Sequence, residues 1–281
     1  AYIAASVVPA AADVWQEGIA VPPVKFYERG EERFDAVEMY LRNLRYRELA
    51  KGDLLAQLGS VWTGVERLGD LCREYGAHTV VRYAEAMIEY ADRRMTAEIS
   101  AMPAGEYSAE GWIDSDGAQG FDVPIRASVK IEGERISVDF SGSGPQGKGG
   151  LNGSFATAQA AGAIPFLQYI DTDIPHNDGC VRHIEVFAPE GSICNAAFPA
   201  STSAATIVPT DMMMDVVHKA MATAMPDRVS AGSVRCQIVP QFSGEYADGH
   251  PWGVMLFNNS GGQGATRGND GWPLWESTSA S

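Results

Sequence analysis

Two periods divide the chain. As far as Met102 the apolar residues recur at three- and four-residue steps, and beyond Pro103 they alternate with polar ones. From Phe34 to Leu49 the pattern is helical and strongly charged, and Gly52 with Asp53 is expected to end that helix and cap the next. Leu54, Leu58, Val61, Trp62, Val65, Leu68, Cys72 and Tyr75 then fall on one stripe, which stops near Gly76. A second stripe, Val80, Ala84, Met87, Ile88, Ala91, Met95 and Ile99, runs until Met102-Pro103 closes it. Two long helices with a short joint predict an antiparallel hairpin. Its Met and Trp residues are expected to pack in a core, with His78 exposed at the joint.

The flanking stretches read differently. Residues 1–30 are irregular after a strand-like AYIAAS, and Pro22 with Pro23 favours an extended run through Val24 to Tyr27. After Pro103, a strand from Tyr107 to Ile113 precedes the alternation of Val123, Ile125, Ala127, Val129 and Ile131. A turn at Glu132-Gly133 leads to Ile136, Val138 and Phe140. This meander feeds a loop with five glycines between Gly142 and Gly150. Asn152 to Tyr169 follows as a small-residue helix that Pro165 is expected to kink or divide. Ile184 to Phe187 reads as a short strand, and a helix capped by Thr210 or Asp211 ends at Pro226. Strands are expected at Val234 to Val239 and Gly253 to Phe257, the second of them buried, before a second glycine-rich stretch, NNSGGQGATRGNDGW. The fold class is therefore α+β, with antiparallel or mixed sheets and a long helical hairpin. The expected division is 1–103, lead-in plus hairpin, and 104–281, an α+β region with glycine-rich loops.

Charge narrows the partners. The net charge is −15, with 12 basic against 16 acidic side chains in residues 1–100 and 9 against 20 thereafter. Such a surface repels phosphate backbones and anionic lipids, so no nucleic acid and no membrane is expected. Four widely spaced cysteines with no CxxC pair read as reduced thiols of a cytoplasmic protein. The first residue is not methionine, and the chain reads as part of something longer, a larger multi-element subunit.

Several chemistries fail on their motifs. The glycine loop holds GKGG without the hydroxyl or spacing of a P-loop. Gly142 to Gly147 matches GxGxxG, but Pro145 in the turn, the meander before it and the lack of a βαβ unit argue against a dinucleotide site. No GxSxG elbow is present. The five histidines form no HxH, HxxxH or HExxH arrangement, although His176, Asp178 and His183 share one loop. Cys180, between them, reads either as a nucleophile activated by Arg182 and His183 or as a buried structural thiol. Glu17 with Trp15 lines a cleft or merely crosses the surface.

Five pieces in order resemble the hydantoinase B/oxoprolinase family, which includes a large subunit of acetone and acetophenone carboxylases. They are DVWQEGIAVPPVKFYERGE, GDLLAQLGSVWTGVERLGDLCREYG, VDFSGSGPQGKGGLNGSFATAQAA, IPHNDGCVRHIEVFAPEGSICNAAFPA and SGGQGATRGNDGW. The resemblance implies a hetero-oligomer in which a hydantoinase A-like, ATP-binding partner activates a carbonyl. The present chain then acts on a small-molecule substrate, opening a cyclic amide or, alternatively, carboxylating a ketone. The resemblance also implies a divalent metal of the zinc or manganese type. The family's NDP, GGTH and HHxDxGG motifs are absent, so no metal ligand is assigned in this chain. A non-catalytic scaffold subunit is the reading that this absence favours. On the enzymatic reading Glu17, Asp139, Asn177, Asp178 and Cys180 are the catalytic candidates. Ser141, Gly142, Gln146 and Asn152 are the substrate-binding ones, with loop N–H groups holding an oxyanion or phosphoryl group.

Overall fold

The computed structural model describes residues 10–234, 241–255 and 261–273, so AYIAAS and most of the strand expected at Val234 to Val239 lie outside the described residues. Contacts divide the chain into two compact units, one formed chiefly by Val14–Ala86 and the other chiefly by Met87–Ile238. Among the described residues no helix is long and apolar enough to cross a membrane.

The first unit begins with a single helical turn, α1 (Val14–Glu17), and a small antiparallel hairpin of β1 (Tyr27–Glu28) and β2 (Glu31–Glu32). Next come α2 (Phe34–Arg42) and α3 (Arg47–Tyr75). The break therefore falls between Asn43 and Tyr46, and Gly52-Asp53, expected to be the boundary, lies inside α3. An exposed helical glycine costs only about 1 kcal/mol, too little to interrupt a helix of this length. The joint is fixed by Glu38 on α2, which accepts from Arg42 at 3.0 Å and from Arg47 at 3.2 and 2.5 Å. Hydrogen bonds from Arg47 and then Arg42 hold its carboxyl down to about 2.

Gly76, at φ +83°, ends α3, and α4 (Ala77–Ala101) follows directly. No residue of α3 is buried. Val61, Trp62, Val65 and Leu68 are 54–66% exposed, so the stripe expected to pack in a core does not do so. Only the far end of α4, which belongs to the second unit, buries its stripe, at Ala91, Met95 and Ile99. The first unit also contains the antiparallel pair β7 (Gln241–Glu245) and β8 (Pro251–Met255). Val254 in β8 is exposed, contrary to the burial expected of it, and Leu256 and Phe257 of the expected strand lie outside the described residues.

The second unit is built on a four-stranded sheet in the order β3 (Gly105–Ser115), β4 (Phe121–Glu132), β5 (Arg135–Asp139), β6 (Ile184–Phe187). Ile125, Ala127, Val129 and Ile131 of β4 are buried and alternate with exposed residues, as a strand with one covered face requires. β3, β4 and β5 pair antiparallel, but β5 and β6 pair in parallel. With α5 (Phe155–Leu167) between them they make a βαβ crossover, the unit the sequence reading found lacking.

Ser154 caps α5 in a reciprocal box with Thr157, and Pro165 sits in the last turn without dividing the helix. The small residues of α5 let it lie tight on the sheet; a Cβ on Gly162 would come within 2.6 Å of Val186 Cγ2. The other covering helix, α6 (Pro209–Met221), starts with proline in its first turn rather than with a Thr210 or Asp211 cap. The Thr210 hydroxyl instead donates to the Ala205 carbonyl at 2.6 Å. Phe140, Phe166, Ile125, Ile136, Met213 and Met221 form the fully buried centre, each worth about 1.5–3 kcal/mol of transfer.

Candidate functional site

The glycine-rich loop after β5 is held from within. Asp139 accepts from the Ser141 N–H at 2.8 Å and from its hydroxyl at 2.5 Å. The N–H of Gly144 goes to Pro124, and that of Gln146 to Gly191. Asn152, fully buried, accepts from the Gly147 N–H at 2.7 Å and donates to the carbonyls of Gly149 at 2.8 Å and Ser201 at 2.9 Å. The Gln146 side chain accepts from the Ala197 N–H at 2.8 Å.

Asp116, in the β3–β4 turn and 3% exposed, anchors the same loop by accepting from the Lys148 N–H at 3.0 Å. Burial pushes its carboxyl up, but four backbone N–H groups, of Ala118, Gly120, Lys148 and Gln119, outweigh that and hold it below the usual carboxylate value. A Cβ on Gly149 would overlap the Asp116 carbonyl. The glycine there serves a close crossing of two loops rather than the approach of a ligand. The donors expected to hold an oxyanion are thus engaged within the chain at Ser141, Gly144, Gln146, Gly147 and Lys148, each by an acceptor that the fold brings to it. Asp139 and Gly142 do share an open groove on the sheet with Arg126 and Ser128.

The second polar loop is clamped to α4. Asn177 caps a short 3₁₀ turn (Asp178–Cys180) by accepting from the Gly179 N–H at 2.9 Å, and its amide donates to the Met87 carbonyl at 3.3 Å. A Cβ on Gly179 would overlap the Ile88 carbonyl, so the turn presses directly on the helix. Asp178 pairs with Arg182 at 2.9 Å, while His183 pairs with Asp92 at 2.6 Å and meets Thr96 at 3.1 Å. Cys180 is fully buried with its thiol donating to the Pro175 carbonyl at 3.3 Å, which is the structural alternative for that residue. Another buried thiol, Cys194, is pushed up to about 12 by its burial. Among the described residues no three His, Cys, Asp or Glu side chains gather to hold a metal ion. These residues do not fit the divalent metal that the resemblance implies.

Glu17 lies in α1 of the first unit. None of the candidates picked from the sequence lines the cavity of about 660 Å³ in the second unit. That cavity is formed by Gln168 and Tyr169 after α5, His218 of α6, Arg228, and the second glycine-rich stretch around Asn269, Asp270 and Trp272. Tyr169 is wedged between Phe166 and His218, with ring centroids 5.9 and 5.5 Å away and both pairs near edge-to-face. Its hydroxyl lies 2.5 Å from His218 Nδ1, and Arg228 donates to its backbone carbonyl at 2.7 Å. Burial lowers the His218 pKa, opposed by Asp215, and burial raises that of Tyr169, so the ring stays neutral and the phenol protonated near pH 7. The sequence offered one overlooked signal: a histidine set among the apolar residues Val216, Val217, Ala220 and Met221 of α6.

The hydantoinase B/oxoprolinase family pattern matches residues 1–279. The chain is 30% identical over 276 residues to the B component of a putative D-/L-hydantoinase from Pseudomonas sp. (strain NS671), covering 93% of this chain and 45% of that protein. It is 30% identical over 274 residues to the beta subunit of caprolactamase from Pseudomonas jessenii, covering 94% and 46%. The crystal structure of the ATP-dependent caprolactamase from that organism superposes with a TM-score of 0.83 at 28% identity, over 94% of this chain and 46% of that one. The delta subunit of acetophenone carboxylase from Aromatoleum aromaticum is 25% identical over 213 residues, covering 75% and 31%. Nucleotide-free acetone carboxylase shares the fold, with a TM-score of 0.83 at 16% identity over 97% of this chain and 39% of that one. The chain spans about half the length of the first two relatives. With the match running along almost all of its residues, the chain belongs to the hydantoinase B/oxoprolinase family.

Proposed function

We propose that this chain is part of a subunit of an ATP-dependent cyclic amide hydrolase of the hydantoinase, 5-oxoprolinase and lactamase type. A hydantoinase A-like partner binds ATP and activates the carbonyl, and the present chain holds the activated species while water displaces the ring nitrogen. The observation that carries the reading is the likeness to a hydantoinase component and a caprolactamase subunit, each over more than nine-tenths of the chain. The Tyr169–His218 cavity supports it, since about 660 Å³ suits a small molecule and its lining offers both donors and acceptors to an amide. Asp139 and Gly142, in their open groove, stay candidate contacts, and the Asn152 amide and the Cys180 thiol hydrogen-bond within the chain.

Ketone carboxylation is the second reading, favoured by the likeness to an acetophenone carboxylase subunit. The two separate when the full-length protein, assembled with its partner, is incubated with ATP and labelled bicarbonate plus a ketone, beside a hydantoin and a lactam. ATP-coupled ring opening is the expected result. Label fixed into a ketoacid sinks the hydrolase reading, and a complex with no ATP-dependent turnover on any of these points to a scaffold role.

A further inference from the structure

His218 is 8% exposed, yet it is among the residues that line both the cavity described above and an adjoining one of about 410 Å³. Either His218 Nδ1 or the Tyr169 hydroxyl can supply the proton of the 2.5 Å contact between them. The phenol decides which. It carries one proton, it is buried, and among the described residues its hydroxyl has no other hydrogen-bond partner than His218 Nδ1. Were Nδ1 the donor, the phenolic proton would be left without an acceptor. Tyr169 therefore donates, Nδ1 accepts, and the single proton of the neutral ring sits on Nε2. That second nitrogen has no hydrogen-bond partner among the described residues and is not sealed in the core.

The ionised side chains of the larger cavity offset one another, whereas those of the smaller one are net acidic. Arg228 and Asp270 line the larger cavity, and Arg228 is already engaged by the Tyr169 carbonyl and by Glu98. Asp215 and Lys219 of α6 face Glu110 and Asp114 of β3 across the smaller one. The larger cavity, with its one cation and one anion offset, favours a ligand without net charge.

We propose that His218 Nε2–H is the hydrogen-bond donor to the carbonyl oxygen of an uncharged substrate in this cavity, with Tyr169 as the positioning residue that sets the tautomer. The substrate class, a cyclic amide, rests on the function proposed above. A neutral imidazole N–H fixed in place strengthens its contact as negative charge develops on the oxygen, and it keeps its proton throughout. Tyr169 acts only through the ring, since its one proton is given to Nδ1.

The test uses the full-length protein assembled with its ATP-binding partner, as wild type, His218→Ala, His218→Gln and Tyr169→Phe, with the unfolding midpoint of each recorded. Caprolactam, hydantoin and acetophenone serve as labelled probes in equilibrium dialysis without ATP, followed by ATP-dependent turnover. His218→Ala is expected to weaken retention of the bound probe about tenfold and to lower kcat about 10²-fold, with the KM for ATP unchanged. His218→Gln, whose amide N–H reaches the Nε2 position, is expected to restore both to within about threefold of wild type. Tyr169→Phe, a milder change should His218→Ala fail to fold, is expected to fall between them in kcat. The proposal is overturned if folded His218→Ala, or Tyr169→Phe in its place, matches wild type. It is also overturned if His218→Gln is folded but no better than His218→Ala, or if wild type retains none of the probes. A retained and carboxylated acetophenone would refute the amide hydrolase reading while leaving the role of His218 intact. Cyclic amide turnover indifferent to His218 would do the reverse.

Discussion

Asn152 shows what a polar residue in a glycine-rich loop is for in this protein. It has no exposed surface, and its amide ties together the backbone at Gly147, Gly149 and Ser201. Asn152→Ala removes these hydrogen bonds, at about 1–3 kcal/mol for each buried group that loses its partner. We expect the unfolding free energy to fall by about 3 kcal/mol in urea titration, and an unchanged midpoint would mean that water or a neighbour replaces the amide. Asn152 was legible as a special residue because an amide beside a glycine run seldom lacks a role. Which role was not legible, since the acceptor at Ser201 is remote in sequence and only the folded chain brings it near.

Among the elements, the strands were the easier to read. A period of two assigns one face to the core, and β4 buries four of the five residues its alternation names, with Val123 half-buried. The helices were harder. A period of 3.6 marks an apolar face without saying what covers it, and the stripes of α3 and α4 look alike although only the end of α4 is buried. A pair of substitutions exposes the difference. Met95→Ala, at a fully buried position, should cost about 2–5 kcal/mol, whereas Val65→Ser, at a position 66% exposed, should stay within about 0.5 kcal/mol. Equal losses in chemical unfolding would show that α3 packs as its stripe suggests. The parallel β5–β6 pairing was missed for a related reason: β6 spans four residues, too few for its own pattern to announce its direction.

At the scale of the whole molecule, the buried imidazole couples stability to pH. In the unfolded chain His218 takes up a proton below its ordinary value of 6.5, and in the folded chain burial delays that uptake to lower pH. The unfolded state then binds more protons in the window between the two, so stability is full above about 6.5 and declines as the pH drops through it. Thermal unfolding from about pH 8 to 5 should show a slope below 6.5 that His218→Gln flattens; an identical slope in the variant would place its origin elsewhere.

Taken alone, the sequence determined the α+β class, the faces of β4 and β5, the two long helices and the family, because alternation, periodicity and ordered motifs are properties of neighbours along the chain. The tertiary structure alone decided that the first glycine loop spends its donors on Asp116, Asn152 and adjacent backbone, and that Asn177 bonds to α4 while the Cys180 thiol bonds within its own loop. It also decided that a cavity assembles from Tyr169, His218, Arg228 and the second glycine-rich stretch. Those outcomes turn on which acceptor reaches which donor and which rings meet across the fold. Such encounters between distant segments leave no period in the sequence.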